Sequence, residues 1–154
     1  MRNILFGLMM AICGMMISCD VEPEPINFGT DVCTHCKMAI MDNKFGAEIV
    51  SVKGKIFKFD ATECMVDFIK EKPDLNVEVS KLLTINIASP GTLINAREAI
   101  FLKDKAFRSP MGANLASFHH RQLAENNRQN ADAKIFTWNE LIQHRQINLA
   151  LNEK

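Results

Sequence analysis

Apolar side chains along this sequence fall into stretches of different period, and each stretch predicts its own element. Residues 46–53 and 55–59, GAEIVSVK and KIFKF, are β-branched and aromatic runs separated by Gly54, which predicts a tight hairpin. From Asp60 the period changes. Ala61, Cys64, Met65, Phe68 and Ile69 fall at i, i+3, i+4, i+7 and i+8, one apolar face of a helix that must stop before Pro73. Asp60 followed by Glu63 predicts a capping pair at its start. Residues 82–88, LLTINIA, then read as a strand, so the unit is strand, strand, helix, strand.

The remaining pattern predicts a second unit of the same kind. Arg97 to Lys103 reads as a strand, and Phe107 to Phe118 as another, interrupted by the loop Ser109-Pro110-Met111-Gly112. His119 to Gln129 is a polar helix with His120, Leu123 and Ala124 on its inner face, and Lys134 to Phe136 is a short strand. Thr137 with Glu140 makes a capping box for a last helix carrying Trp138, Leu141 and Ile142. The expected fold is α+β, two small ββαβ units in tandem over residues 28–90 and 91–154.

The N-terminus has a different character. Arg2 precedes an uncharged apolar run from Ile4 to Ile17, the charged and hydrophobic regions of a secretory signal. The run is shorter than the roughly 20 apolar residues a membrane-spanning helix needs. Its ending, Met16-Ile17-Ser18-Cys19, resembles the lipobox of bacterial lipoproteins, in which the cysteine is acylated and becomes the new N-terminus. Residues 1–18 are therefore expected to be removed and Cys19 lipidated. The acidic, proline-interrupted run Asp20 to Pro25 then reads as part of a tether over residues 19–27. This places the domain on the periplasmic face of the cell envelope, touching membrane through the lipid anchor only.

Composition excludes some functions. The 18 basic and 18 acidic side chains cancel, so no summed field draws the chain to nucleic acid or to an anionic surface. Of nine methionines, all but Met38, Met41, Met65 and Met111 lie in the signal, and Met41 and Met65 are assigned to packing. Asp42 and Glu48 read as solvated. Once the signal and the lipid have taken Cys13 and Cys19, the working thiols are Cys33, Cys36 and Cys64. A disulfide between Cys33 and Cys36 would close so small a loop that it would add little stability, so chemistry explains the pair better than stapling does.

Cys33-Thr34-His35-Cys36-Lys37-Met38 gathers two thiols, an imidazole and a thioether just before the first strand. Thiolate and thioether are soft donors and together select Cu(I). A structural zinc site needs four ligands, usually from two such pairs, and a second pair is missing. Cys64 lies in the first turn of the predicted helix. There it is either a small apolar residue of the helix face, the commoner case, or a thiolate favoured by the backbone amides. Met111, held between Pro110 and Gly112, is off any apolar stripe and is a further candidate ligand. His119 and His120 cannot both face one site, and an exposed His119 is the simpler reading.

The Cys33 to Met38 run, then Phe57-Lys58-Phe59-Asp60 leading into the helix with Cys64, then Ser109-Pro110-Met111-Gly112-Ala113-Asn114, resembles the NosL family of copper-binding lipoproteins. The resemblance implies a pair of ββαβ units and a role in delivering copper within the cell envelope to the maturation system of nitrous oxide reductase. Its partners would be the copper ion, and a copper transporter or recipient copper enzyme. It also implies Cys36, Met38 and Met111 as ligands. The sequence departs from the family in two places: Lys37 stands where glycine is usual, and Cys33 makes a pair that many members lack. Rival chemistries are a thiol-disulfide oxidoreductase using Cys33 and Cys36, covalent haem on Cys33-Thr34-His35-Cys36-Lys37, and an organomercurial lyase. The last needs an acid between paired thiols, and Asp60 stands too far along the chain to be assigned that role.

Overall fold

The computed structural model describes residues 21–72 and 79–152. Strands β1 (Ala47–Ser51) and β2 (Ile56–Phe59) form the expected hairpin, antiparallel from Ala47 opposite Phe59 to Val50 opposite Ile56. Gly54 takes a left-handed φ of +81° in the connecting turn, which a side chain would resist. Helix α1 (Thr62–Glu71) follows, and β3 (Val79–Ile85) returns antiparallel along the other side of β1. A short β4 (Leu93–Asn95) adds to β3, so the first sheet has the order β2-β1-β3-β4.

The second unit consists of β5 (Ile100–Lys103), β6 (Leu115–Phe118), α2 (Arg121–Asn126) and β7 (Lys134–Phe136), with sheet order β6-β5-β7. Helix α3 (Trp138–Asn152) ends the described chain. Glu140 reaches back to the Thr137 N–H at 2.7 Å, one half of the expected capping box, while the Thr137 hydroxyl donates to the Glu140 carboxylate at 2.8 Å. The architecture is α+β with two tandem ββαβ units.

Several expectations are corrected by packing. β3 begins and ends three residues before the expected 82–88, because Asn86 to Ala88 turn away from the sheet toward β6. β4 lies beyond residue 90, so the first sheet draws a strand from the segment assigned to the second unit. The strand expected over Phe107 to Phe118 contracts to β6, because Gly112 and Asn114 take left-handed φ values of 74° and 55° that no strand accommodates. In the six-residue α2 only Ala124 is buried, and His120 and Leu123 face solvent. Pro73 lies outside the described residues.

The two units share one core. Phe59, Met65 and Phe68 belong to the same buried cluster as Phe101, Leu115, Trp138 and Leu141. Three buried hydroxyls fasten the seam: Thr84 Oγ1 lies 2.7 Å from Thr62 Oγ1 and 2.8 Å from Ser117 Oγ. Burying three polar groups together satisfies each of them without water. Asp67 and Arg145 add a two-pronged ion pair between α1 and α3.

The segment expected as a tether is instead part of the domain from Val21 onward. The Glu24 N–H donates to Glu48 Oε1 at 3.2 Å, and Lys58 Nζ donates to the Pro25 carbonyl at 2.9 Å. Lys81 pairs with Glu22 at 3.7 Å. Ile26 is buried against Gly46, where a Cβ would come within 2.8 Å of its Cδ1. Glu48 is thus fully buried rather than solvated, because this segment covers the β1 face that would otherwise be wet. Burial raises its pKa, against the pull of the Glu24 N–H.

Candidate metal centre

The loop carrying the sequence motif is a tight turn strapped to β2. The Cys33 N–H donates to the Met38 carbonyl at 2.8 Å and the Lys37 N–H to the Cys33 carbonyl at 3.1 Å. The Thr34 N–H donates to the Lys58 carbonyl at 2.8 Å, fixing the turn beside the end of β2. Lys37 closes the turn with a φ of 66°, the left-handed region that favours glycine, and its Nζ donates to the Thr34 carbonyl at 2.6 Å.

α1 starts just past β2 and points its first turn at this loop. The Cys33, Cys36 and Cys64 sulfurs lie within 4.8 Å of one another, and all three are free thiols. Cys33 and Cys64 are buried, while Cys36 is partly open to solvent. With metal–sulfur bonds of about 2.3 Å, a trigonal centre spaces its sulfurs by roughly 4 Å. The trio is therefore close to the spacing that one soft ion requires.

Cys64, which the apolar stripe alone would place as a packing residue, thus completes the cluster. The alternative of a Cys64 thiolate favoured by the helix amides is not met, since its pKa is raised. Cys33 is the thiol whose pKa is lowered, because it accepts a hydrogen bond from the Cys64 thiol and, against the cost of burial, from the Asp60 and Cys36 N–H groups. Cys64 is raised by its bond to Cys33 and by burial. Cys36 is raised chiefly by burial, partly offset by the Met38 N–H. Of the three thiols, Cys33 is therefore the one its surroundings favour as thiolate, while burial and its bond to Cys33 hold Cys64 toward the neutral thiol.

Asp60 also belongs to this corner. Its carboxyl is buried, and its pKa is raised by burial and by the charge on Cys33, while the Met41 N–H opposes the shift. One of its oxygens has no hydrogen-bond partner. Asp60 therefore does not cap α1; the cap position is Ala61, without a side-chain bond. Distance along the chain had concealed a carboxyl that folds against the thiols.

Glu63 does not cap the helix either. It is buried and accepts a hydrogen bond from Ser109, whose Oγ in turn accepts the Asn114 N–H at 2.9 Å. The Ala113 N–H also faces Glu63, and burial raises the pKa of this carboxyl. The residue beside Cys64 thus fastens the whole Ser109 to Asn114 loop of the second unit to α1. No periodic signal marks it, since a Glu in a first helical turn is ordinarily read as a cap.

Met38 and Met111, both candidate ligands, are half-exposed, at 46% and 45%. Met38 follows directly on the thiol turn, and Met111 tips the loop held by Glu63. Met65 is packed in the core as expected, but Met41 is 69% exposed, because the chain leaves the Val32–Ala39 bridge outward there. The His35 ring bonds Glu71 at the far end of α1 at 3.0 Å. His119 and His120 stack on one another in the open. Cys19 lies outside the described residues.

Fold and site together define a class: a small α+β protein that closes three free thiols into one corner able to hold a soft metal ion. The NosL family profile matches residues 25–145, and the chain belongs to the NosL family. Its fold resembles the crystal structure of the copper chaperone NosL from Shewanella denitrificans, with a TM-score of 0.66 and 20% identity, over 79% of this chain and 96% of that one. Among curated proteins nothing matches.

Proposed function

We propose that the chain carries one Cu(I) on Cys33, Cys36 and Cys64, with Met38 and Met111 as thioether donors on its open side. Anchored through an acylated Cys19 on the periplasmic face of the envelope, it passes the ion from a copper transporter to a recipient enzyme, foremost in nitrous oxide reductase maturation. The observation that carries this reading is the trio of free thiols within 4.8 Å. An all-sulfur donor set selects Cu(I) by softness, and among the described residues the cysteine trio offers no fourth thiol for a closed zinc cage. Membership of the NosL family supports it, and the solved relative of like fold is a copper chaperone.

The gradient of exposure suits a carrier rather than a store. In this reading Cys33 and Cys64, both buried, hold the ion from inside, and the partly open Cys36 and the exposed Met38 and Met111 are the donors an incoming ligand would displace. Exchange then proceeds one sulfur at a time, without opening the core. A dithiol oxidoreductase needs its low-pKa thiol exposed to attack a substrate disulfide. Here the lowered thiol, Cys33, has 0% exposure and the accessible one, Cys36, is raised. Anaerobic titration of the reduced protein should saturate at about one Cu(I) per chain, as a single soft cluster requires. Equal uptake after oxidation of Cys33 and Cys36 to a disulfide would show that the thiols are not the site.

One observation favours a second reading. The buried Asp60 carboxyl, its pKa raised by burial and by the charge on Cys33, is a candidate for the proton donor that a carbon–mercury lyase would require. Incubation with an organomercurial should release no hydrocarbon if the protein only carries copper, and steady release abolished by Asp60→Asn would establish the lyase.

A further inference from the structure

The docked N-terminal segment determines which end of the molecule meets the membrane. Val21 packs on the β1–β2 turn: a Cβ on Gly54 would lie 3.4 Å from Val21 Cγ2. Val21 is held there by the bonds that follow it, Glu22 to Lys81, Glu24 to Lys58 and the Glu24 N–H to Glu48. Only Asp20 separates Val21 from Cys19, and two residue steps of fully extended chain reach at most about 7 Å. An acyl chain on Cys19 therefore draws the turn, and not merely the chain end, down to the headgroups.

That turn has the composition of a membrane-contacting tip. Val52 is 66% exposed although it is β-branched and apolar, and it is followed by the exposed Lys53 and Lys55. An apolar side chain flanked by cations suits the boundary between acyl chains and anionic headgroups. The balanced charge of the whole chain does not argue against this, since attraction within a Debye length depends on which charges face the surface. Among the described residues, the acidic groups nearest the anchor in sequence are Glu22 and Glu24, which pair with Lys81 and Lys58.

We infer that the Val52–Lys55 tip is a second membrane contact, seated on anionic phospholipid beside the lipid anchor, and that it fixes the orientation of the domain. The inference rests on the proposed acylation of Cys19. Its consequence concerns the thiols. β2 lies between this tip and Asp60, five residue steps of roughly 3.3 Å each, so the site stands at most about 17 Å along the strand from the tip. The thiol corner then points away from the bilayer at a set height instead of sampling all directions on a loose tether.

The test uses the lipidated protein in vesicles of phosphatidylethanolamine and phosphatidylglycerol, some of the lipids carrying a spin label high on the acyl chain. Val52→Trp places an indole at the tip, and Leu123→Trp places one on α2 as a control; Trp138 is buried in both. The tip indole should be quenched at least twofold more than the control, and Lys53→Glu with Lys55→Glu should abolish the difference. In the unsubstituted protein, amide exchange over residues 51–56 should slow on transfer from detergent to these vesicles. The mass of the N-terminal peptide is read on the same sample. An acylated chain with equal quenching at both positions and unchanged exchange overturns the second contact alone. A chain without acyl groups overturns the anchor, and this inference with it.

Discussion

Glu63→Ala should detach the Ser109 to Asn114 loop from α1 and destabilise the metal-free protein. In the native fold the Glu63 carboxylate accepts the Ser109 hydroxyl and faces the Ala113 N–H, all within a buried seam. Truncation strands two donors, each costing about 1–3 kcal/mol when left buried without a partner. Water entering the vacated space recovers part of this, so a net loss of about 2–4 kcal/mol is expected. At about 2–4 °C per kcal/mol for a chain of this size, Tm falls by roughly 4–16 °C. Glu63→Gln keeps an acceptor for Ser109 and should be nearly neutral at or below about pH 4.5, where the native carboxyl is also uncharged.

The pH dependence gives an independent check. Burial raises the Glu63 pKa in the folded state, so its contribution to stability is fully present below the unfolded value of 4.5 and is lost as pH rises through the folded pKa. The Gln variant cannot ionise, and its stability relative to the parent should therefore increase as pH rises from 4.5. Urea unfolding across that range measures both effects, and hydrogen exchange at the Gly112 and Asn114 amides reports whether the loop is released. An Ala variant within 0.5 kcal/mol of the parent, taken as about the limit for an inconsequential surface change, would refute the latch.

Two further outcomes follow from the thiol turn. Lys37→Gly should stabilise the metal-free protein by about 1 kcal/mol, since it relieves a left-handed residue and loses only an exposed bond to Thr34, and chemical denaturation would show it. A mild alkylating reagent should label Cys36 before Cys33 and Cys64, because only Cys36 is open to solvent, as peptide masses against time would reveal. Labelling of Cys33 first would mean that the corner opens readily.

Much of the fold was legible because its signals are local. The change from β-branched runs to a spacing of three and four placed β1, β2 and α1 close to where they form, and Lys134 to Phe136 is found as a strand residue for residue. β4 escaped notice because Leu93–Asn95 becomes a strand by pairing with β3, a contact its own three residues do not announce. Of the candidate site, Cys33 and Cys36 are visible as a spacing, but Cys64 sits on an apolar stripe that accounts for it equally well. Asp60, Glu63 and Glu48 are each polar residues that a sequence reading gives to solvent or to a cap. Their burial arises from segments remote in the chain: the thiol turn, the Ser109 loop and the docked N-terminal segment. The order of thiol acidity has the same origin, since Cys33 is lowered by Cys64 and by the Asp60 amide rather than by a helix of its own.

If the chain holds its ion on three thiols, the buried cysteine of α1 must bind metal together with the motif cysteines. Cys64→Ser preserves size and should leave the apo fold intact, which circular dichroism can verify. Competition of the parent and this variant against a Cu(I) chelator, anaerobically and fully reduced, measures the difference directly. The three-thiol site predicts affinity weaker by tenfold or more, at least about 1.4 kcal/mol. Equal affinity in a folded Cys64→Ser protein would contradict it and confine the ion to the Cys33–Met38 turn.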